Sequence, residues 1–150
     1  MARKLPIVQR DIRWITLGTL LGGIAMWLLA GLWHSVIMAA FYSNEAGADH
    51  EGTGIILLAY LILGFLMAYL FPLVVRGDRP VAQGLKFGAI VGVLWVFPHE
   101  LAMAGAHGES LLYVLKNGAW HVVEQGFGGL LMGRLYARMV VGRTPSSSRK

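Results

Sequence analysis

Residues 14 to 44, and again 52 to 75, contain no Asp, Glu, Lys or Arg. Apolar runs beyond about 18 residues cross a bilayer as helices, because lipid offers the backbone no hydrogen-bond partner and a helix satisfies its own. Only 14% of the chain is charged and 56% is hydrophobic, against about 25% and about 45–50% in soluble domains. A soluble globular domain is thereby excluded. The basic start of the chain leads into a first apolar run too long for a signal h-region of about 7–15 residues, so that run reads as a retained span. With no cysteine, the chain has neither a disulfide framework nor a thiolate metal site.

The pattern predicts an all-α integral membrane protein: an antiparallel four-helix transmembrane bundle with spans over about 14–42, 54–75, 81–105 and 111–136. These spans make up one domain, 14–137. A basic segment, 1–13, precedes it, and a basic tail, 138–150, has the composition of a disordered end. Arg3, Lys4, Arg10 and Arg13 precede the first span, Arg76 and Arg79 join the second to the third, and Arg138, Arg143, Arg149 and Lys150 follow the fourth. Lys86 and Arg134 can snorkel to that same side, and only Lys116 falls on the other. The positive-inside rule then puts both termini in the cytoplasm, in a cytoplasmic membrane. Glu45, Asp49, Glu51 and Glu109 fall in or beside the outer loops, in agreement. The net charge of +5 is mostly this topological signal plus attraction to anionic lipid headgroups. Dispersed basic residues that flank spans do not form a nucleic-acid stripe.

Membrane helices associate through small residues and polar contacts. The third span offers Gly84, Gly88 and Gly92, the first Gly18, Gly22 and Gly23, and the fourth Gly129 and Gly133. Such grooves serve contacts within one chain or between copies, so a homo-oligomer or a partner in a membrane complex is expected alongside membrane lipids. Comparing the chain with itself at an offset of 65 aligns Gly23 with Gly88, His34 with His99, Met38-Ala39 with Met103-Ala104, Gly64-Phe-Leu-Met67 with Gly129-Leu-Leu-Met132, and Leu70 with Leu135. Two parallel-repeat hairpins would produce these identities; so would chance in so apolar a composition.

Counting from the outer ends at 1.5 Å per residue puts His34, His99, His121 and Glu124 at neighbouring depths in the outer half, with Tyr60 near enough to join. Asn117, His121, Glu124 and Gly128 form a polar stripe on the fourth span. Spacings of four and three carry the groove of Gly84, Gly88 and Gly92 through Trp95 to His99. Glu100, about 100° round, is expected to reach the outer interface, and Pro98 to kink or loosen its helix. Trp14 suits an anchor at the cytoplasmic interface.

Three functions compete for this cluster. The leading one is a structural, interaction or accessory membrane protein with a buried His/Glu network. The second is a transition-metal or haem site on His34, His99, His121 and Glu124, since neutral imidazoles from different helices are good ligands. The third is a proton or small-solute path through an oligomer. Enzymatic motifs are missing: Ser35 beside His34, and Ser110 beside Glu109, point away from their neighbours on a helix, and there is no Walker or dinucleotide loop.

"GLWHSVIMAAFY" (31–42), "GFLMAYLFP" (64–72) and "GLKFGAIVGVLWVFPHELAMA" (84–104) together resemble small four-span bacterial membrane proteins of unassigned function. The likeness covers most of residues 15 to 137 and implies the four-span fold. It implies no activity, and no shared metal site, because that family can carry Tyr at the position of His34 and its pattern omits His121 and Glu124.

Overall fold

The computed structural model describes residues 11–42, 52–76, 79–108 and 110–139. The expectations placed on Arg3, Lys4, Arg10, Glu45, Asp49, Glu51, Glu109, Arg143, Arg149, Lys150 and the tail lie outside the described residues. Of those described, 94% are helical and none is in a strand. Helix α1 spans Ile12–Leu32 and widens into a π-helical turn, Trp33–Ile37. There Met38 N donates to Trp33 O at 2.8 Å. The chain bends at Met38 and closes with a short α2, Ala39–Tyr42. Helices α3 (Thr53–Val74), α4 (Pro80–His107) and α5 (Leu111–Met139) follow.

Helix ends follow local chemistry. Asp11 caps α1 by accepting from Arg13 N at 3.0 Å, relieving one of the unpaired amides of the first turn. Pro80, which needs no amide partner, opens α4, and Gly108 closes it at φ 74°, a left-handed cap. Pro98 does not interrupt α4; the expected irregularity lies instead in α1.

Three helices are long and apolar enough to cross a membrane: Ile12–Ile37, Thr53–Val74 and Pro80–His107. These make the chain a multi-pass membrane protein by length and composition. Helix α5 has 29 residues but falls short on hydropathy, because Asn117, His121, Glu124 and Gln125 lie on it. All four are buried.

The helices pair as two hairpins, α1 with α3 and α4 with α5, joined mainly through α1 against α5, while α3 touches α4 and α5 little. Glycine makes both pairings possible. A Cβ on Gly88 would lie 1.9 Å from Gln125 O, and one on Gly84 2.1 Å from Gly129 O. In the first hairpin a Cβ on Gly64 would meet Thr19 O at 2.8 Å, and one on Gly23 would meet Tyr60 O at 2.9 Å. Below these contacts Trp14, Met67, Phe71 and Met132 form a fully buried core. Trp14 Nε1 donates to Ala68 O at 2.8 Å, and its ring packs edge-on against Tyr136 at 5.3 Å. Trp14 is thus an interior pillar rather than an interfacial anchor, because its indole finds a hydrogen-bond acceptor inside the bundle.

Replacing Gly88 with Ala should destabilise the protein by about 1–3 kcal/mol or more, since the added methyl meets backbone that cannot rotate away. Gly31→Ala, where a Cβ meets nothing within 4 Å, should leave stability near wild type. Helicity followed through a denaturing-detergent titration checks both.

Candidate functional site: a polar cavity beneath two histidines

A cavity of about 560 Å³ opens in the half of the bundle away from Trp14. Its wall combines Trp27, Gly31, His34 and Ser35 of the first span with Thr53, Ile56 and Tyr60 of α3 and with Tyr113, Asn117 and His121 of α5. Among the described residues no Lys, Arg, Asp or Glu lines it. Leu28, Leu32 and Ile56 on its rim are exposed, so the opening is greasy, and the mostly apolar wall carries polar groups from His34, Ser35, Tyr60, Asn117 and His121. Its volume lies in the usual range for small-molecule sites, about 300–1,000 Å³.

Local structure explains who faces inward. On α1 a row at four-residue spacing, Trp14, Gly18, Gly22, Met26 and Ala30, is buried, and His34 continues that row. The π-helical turn carries His34 and Ser35 together into the cavity wall; such widened turns recur at functional sites. The rings of His34 and His121 lie 6.3 Å apart, tilted by 44°. Alongside, Trp33 stacks on Trp120 at 4.3 Å with 5° between planes, tying the π turn to α5.

Behind His121 sits a buried carboxyl. Glu124 Oε1 is 3.6 Å from His121 Nδ1 and accepts from Gln125 Nε2 at 3.1 Å. Gln125 Nε2 also lies 3.3 Å from His121 Nδ1, and the Tyr60 hydroxyl faces the same carboxyl. Glu124 and Gln125 have no exposed surface. Glu124 Oε2 and Gln125 Oε1 are nevertheless buried without a hydrogen-bond partner. Buried oxygens of this kind ordinarily accept from a protein donor or an ordered water.

His34, His121, Glu124 and Tyr60 therefore come together, and Asn117 joins them at the cavity wall. His99 does not: it is exposed on the outside of α4. The groove holds to steps of four, from Gly84, Gly88 and Gly92 to the buried Val96, and so reaches Glu100 rather than His99. Glu100 is accordingly turned inward, half-buried, accepting from Asn117 Nδ2 at 2.5 Å, instead of reaching the outer interface. Among the described residues no group of three or more His, Cys, Asp and Glu is placed to hold a metal ion. The sequence reading missed Gln125, the π turn and the Trp33–Trp120 stack. Gln125 could have been found, being one helical turn beyond His121.

No family model, curated protein or solved structure matches this chain.

Asn117→Leu should cost about 1–3 kcal/mol, because the half-buried Glu100 carboxyl loses its donor. His99→Leu, on the outer face, should stay within about 0.5 kcal/mol of wild type. Denaturing-detergent unfolding of the two variants separates them.

Proposed function

We propose that this chain is a four-span protein of the cytoplasmic membrane, with both termini in the cytoplasm, serving as a small-molecule-binding or accessory subunit rather than as an enzyme. The cavity over the His34–His121–Glu124 cluster carries this reading, because polar groups from three separate helices converge there behind an apolar rim.

The distribution of polarity on α5 supports a fourth span. Its outward Leu115, Val123 and Phe127 are apolar, and its polar Asn117, His121, Glu124 and Gln125 are inward, as intramembrane polar residues require. Orientation is supported by Arg13, Arg76, Arg79, Arg134 and Arg138. These sit at the start of α1, the end of α3, the start of α4 and the end of α5, and Trp14 against Tyr136 brings those ends together.

Tandem duplication is supported by contact register. In the first hairpin Gly64 meets Thr19 O and Gly23, and Gly23 meets Tyr60 O and Leu61. Adding 65 to each number gives the second hairpin's contacts: Gly129 meets Gly84 O and Gly88, and Gly88 meets Gln125 O and Gly126. A contact register shared at the same offset as the identities supports duplication beyond the identities themselves.

The absence of cysteine makes labelling direct. With a membrane-impermeant maleimide on intact cells, Ser110→Cys should react, whereas Arg3→Cys and Ser147→Cys should react only after permeabilisation. In purified protein Gly31→Cys, within the cavity, should be modified by a small thiol reagent, while Met67→Cys in the core resists. Termini on opposite faces would overturn the four-span topology, and an inert Gly31→Cys would overturn the open cavity.

A further inference from the structure

The cavity has the chemistry of a haem site with two imidazole ligands, and we infer that it binds one haem between His34 and His121. This rests on the open-cavity reading above and gives that cavity its ligand. Four observations converge on it.

First, the ring separation is right. A metal–imidazole bond is about 2.0–2.1 Å, so two such bonds in line, with the offset from each nitrogen to its ring centre, span about 6 Å. The observed separation of 6.3 Å accommodates one metal ion with little movement of either helix.

Second, His121 is oriented as a ligand. It lines the cavity, whereas Glu124 and Gln125, which face its Nδ1, do not. Its Nε2 edge is therefore the one presented to the cavity. A carboxylate behind the far nitrogen of a metal-bound imidazole fixes its tautomer and strengthens it as a donor. Glu124 Oε1, 3.6 Å from Nδ1, would take that place once the Gln125 amide nitrogen, nearer at 3.3 Å, turns aside.

Third, the ligand set suits a macrocycle that brings its own four nitrogens. Among the described residues no group of three or more His, Cys, Asp and Glu is placed to hold a metal ion, whereas haem needs only two ligands from the protein.

Fourth, the walls suit a flat apolar ring. Gly31, one turn before His34, leaves the wall open, with nothing within 4 Å of where its Cβ would be. Trp27 and Tyr113 offer aromatic faces, and the exposed Leu28, Leu32 and Ile56 line the mouth. With both axial positions occupied by protein, no site remains for an exogenous ligand on the iron.

Haemin titrated into detergent-purified, full-length protein tests this. The expected result is saturable binding with a sharp low-spin Soret band, and split visible bands on reduction by dithionite. His34→Ala should convert the spectrum to high-spin while the fold, followed by helicity, survives. Glu124→Gln should weaken binding by about 10–100-fold with the low-spin spectrum retained, as for other carboxylates behind a ligating histidine. Gly31→Trp, which fills the cavity without a backbone clash, should abolish binding, and His99→Ala should change nothing. No Soret shift in wild type, or a spectrum indifferent to both His34→Ala and Gly31→Trp, overturns the inference. If haemin fails while Gly31→Cys still reacts with thiol reagent, the haem assignment falls and the cavity stands; if both fail, both readings fall.

Discussion

The approach of α4 to α5 without side chains between them is the constraint on which the rest depends. Lipid tails are as apolar as leucine, so burying leucine against leucine gives membrane helices no net drive to associate. What remains is contact, and contact is greatest where backbones touch. At Gly84, Gly88 and Gly92 the carbonyls of Gly129, Gln125 and His121 occupy the space a Cβ would need. Glycine there exposes Cα hydrogens to carbonyl oxygens, an arrangement that recurs at close helix crossings and contributes modestly per contact. The backbone of His121 and Gln125 is pressed against α4, while the His121 side chain lines the cavity and Gln125 is buried behind it. The glycine seam thus adjoins the polar cluster as well as holding the hairpin.

The two hairpins share a contact register, but they do not lean together equally. Helix α1 packs on α5, while the corresponding pair, α3 and α4, meets chiefly where Phe71 packs on Phe87 at 5.8 Å. That asymmetry decides the fate of two histidines 65 residues apart. On α1 the row that ends in His34 looks onto α5; on α4 the equivalent row passes Phe87, Val91 and Trp95 and arrives at an exposed His99. Histidines 65 residues apart are thus a cavity wall in one hairpin and a surface group in the other. The α1 end is further remodelled by the π turn at Trp33–Ile37, where α4 carries Pro98 and continues unbroken to His107.

Much of this was legible in the sequence, for reasons that also mark where legibility stops. Charge-free runs locate α1 and α3, and a long apolar stretch interrupted only by Lys86 and Glu100 locates α4, because the bilayer imposes length and composition together. Depth counting put His34, His99, His121 and Glu124 at neighbouring depths with Tyr60 near them, since helical rise is nearly invariant. Facing was harder. A switch from four-residue to three-residue steps after Gly92 seemed equivalent on a single helix, yet it exchanged His99 for Glu100. Only the crossing with α5 chooses the row. Trp14 was misplaced for a related reason: an indole at a helix end suits the interface or the interior equally until an acceptor such as Ala68 O is known. The π turn and the cavity left no local signature, being products of how three helices diverge.

A buried polar network strengthens a fold when every member is satisfied and weakens it when some are not. Here Glu124 Oε2 and Gln125 Oε1 are both buried without partners, so the same helices would be held more economically by apolar side chains. Two groups also contend for one nitrogen, with Gln125 Nε2 3.3 Å and Glu124 Oε1 3.6 Å from His121 Nδ1. If the amide donates to Nδ1, the edge of His121 facing the cavity carries a hydrogen. If Nδ1 instead donates to the carboxylate, that edge presents a lone pair. A carboxyl behind an imidazole selects between these two faces, so the donor or acceptor character of that part of the cavity wall is set from behind.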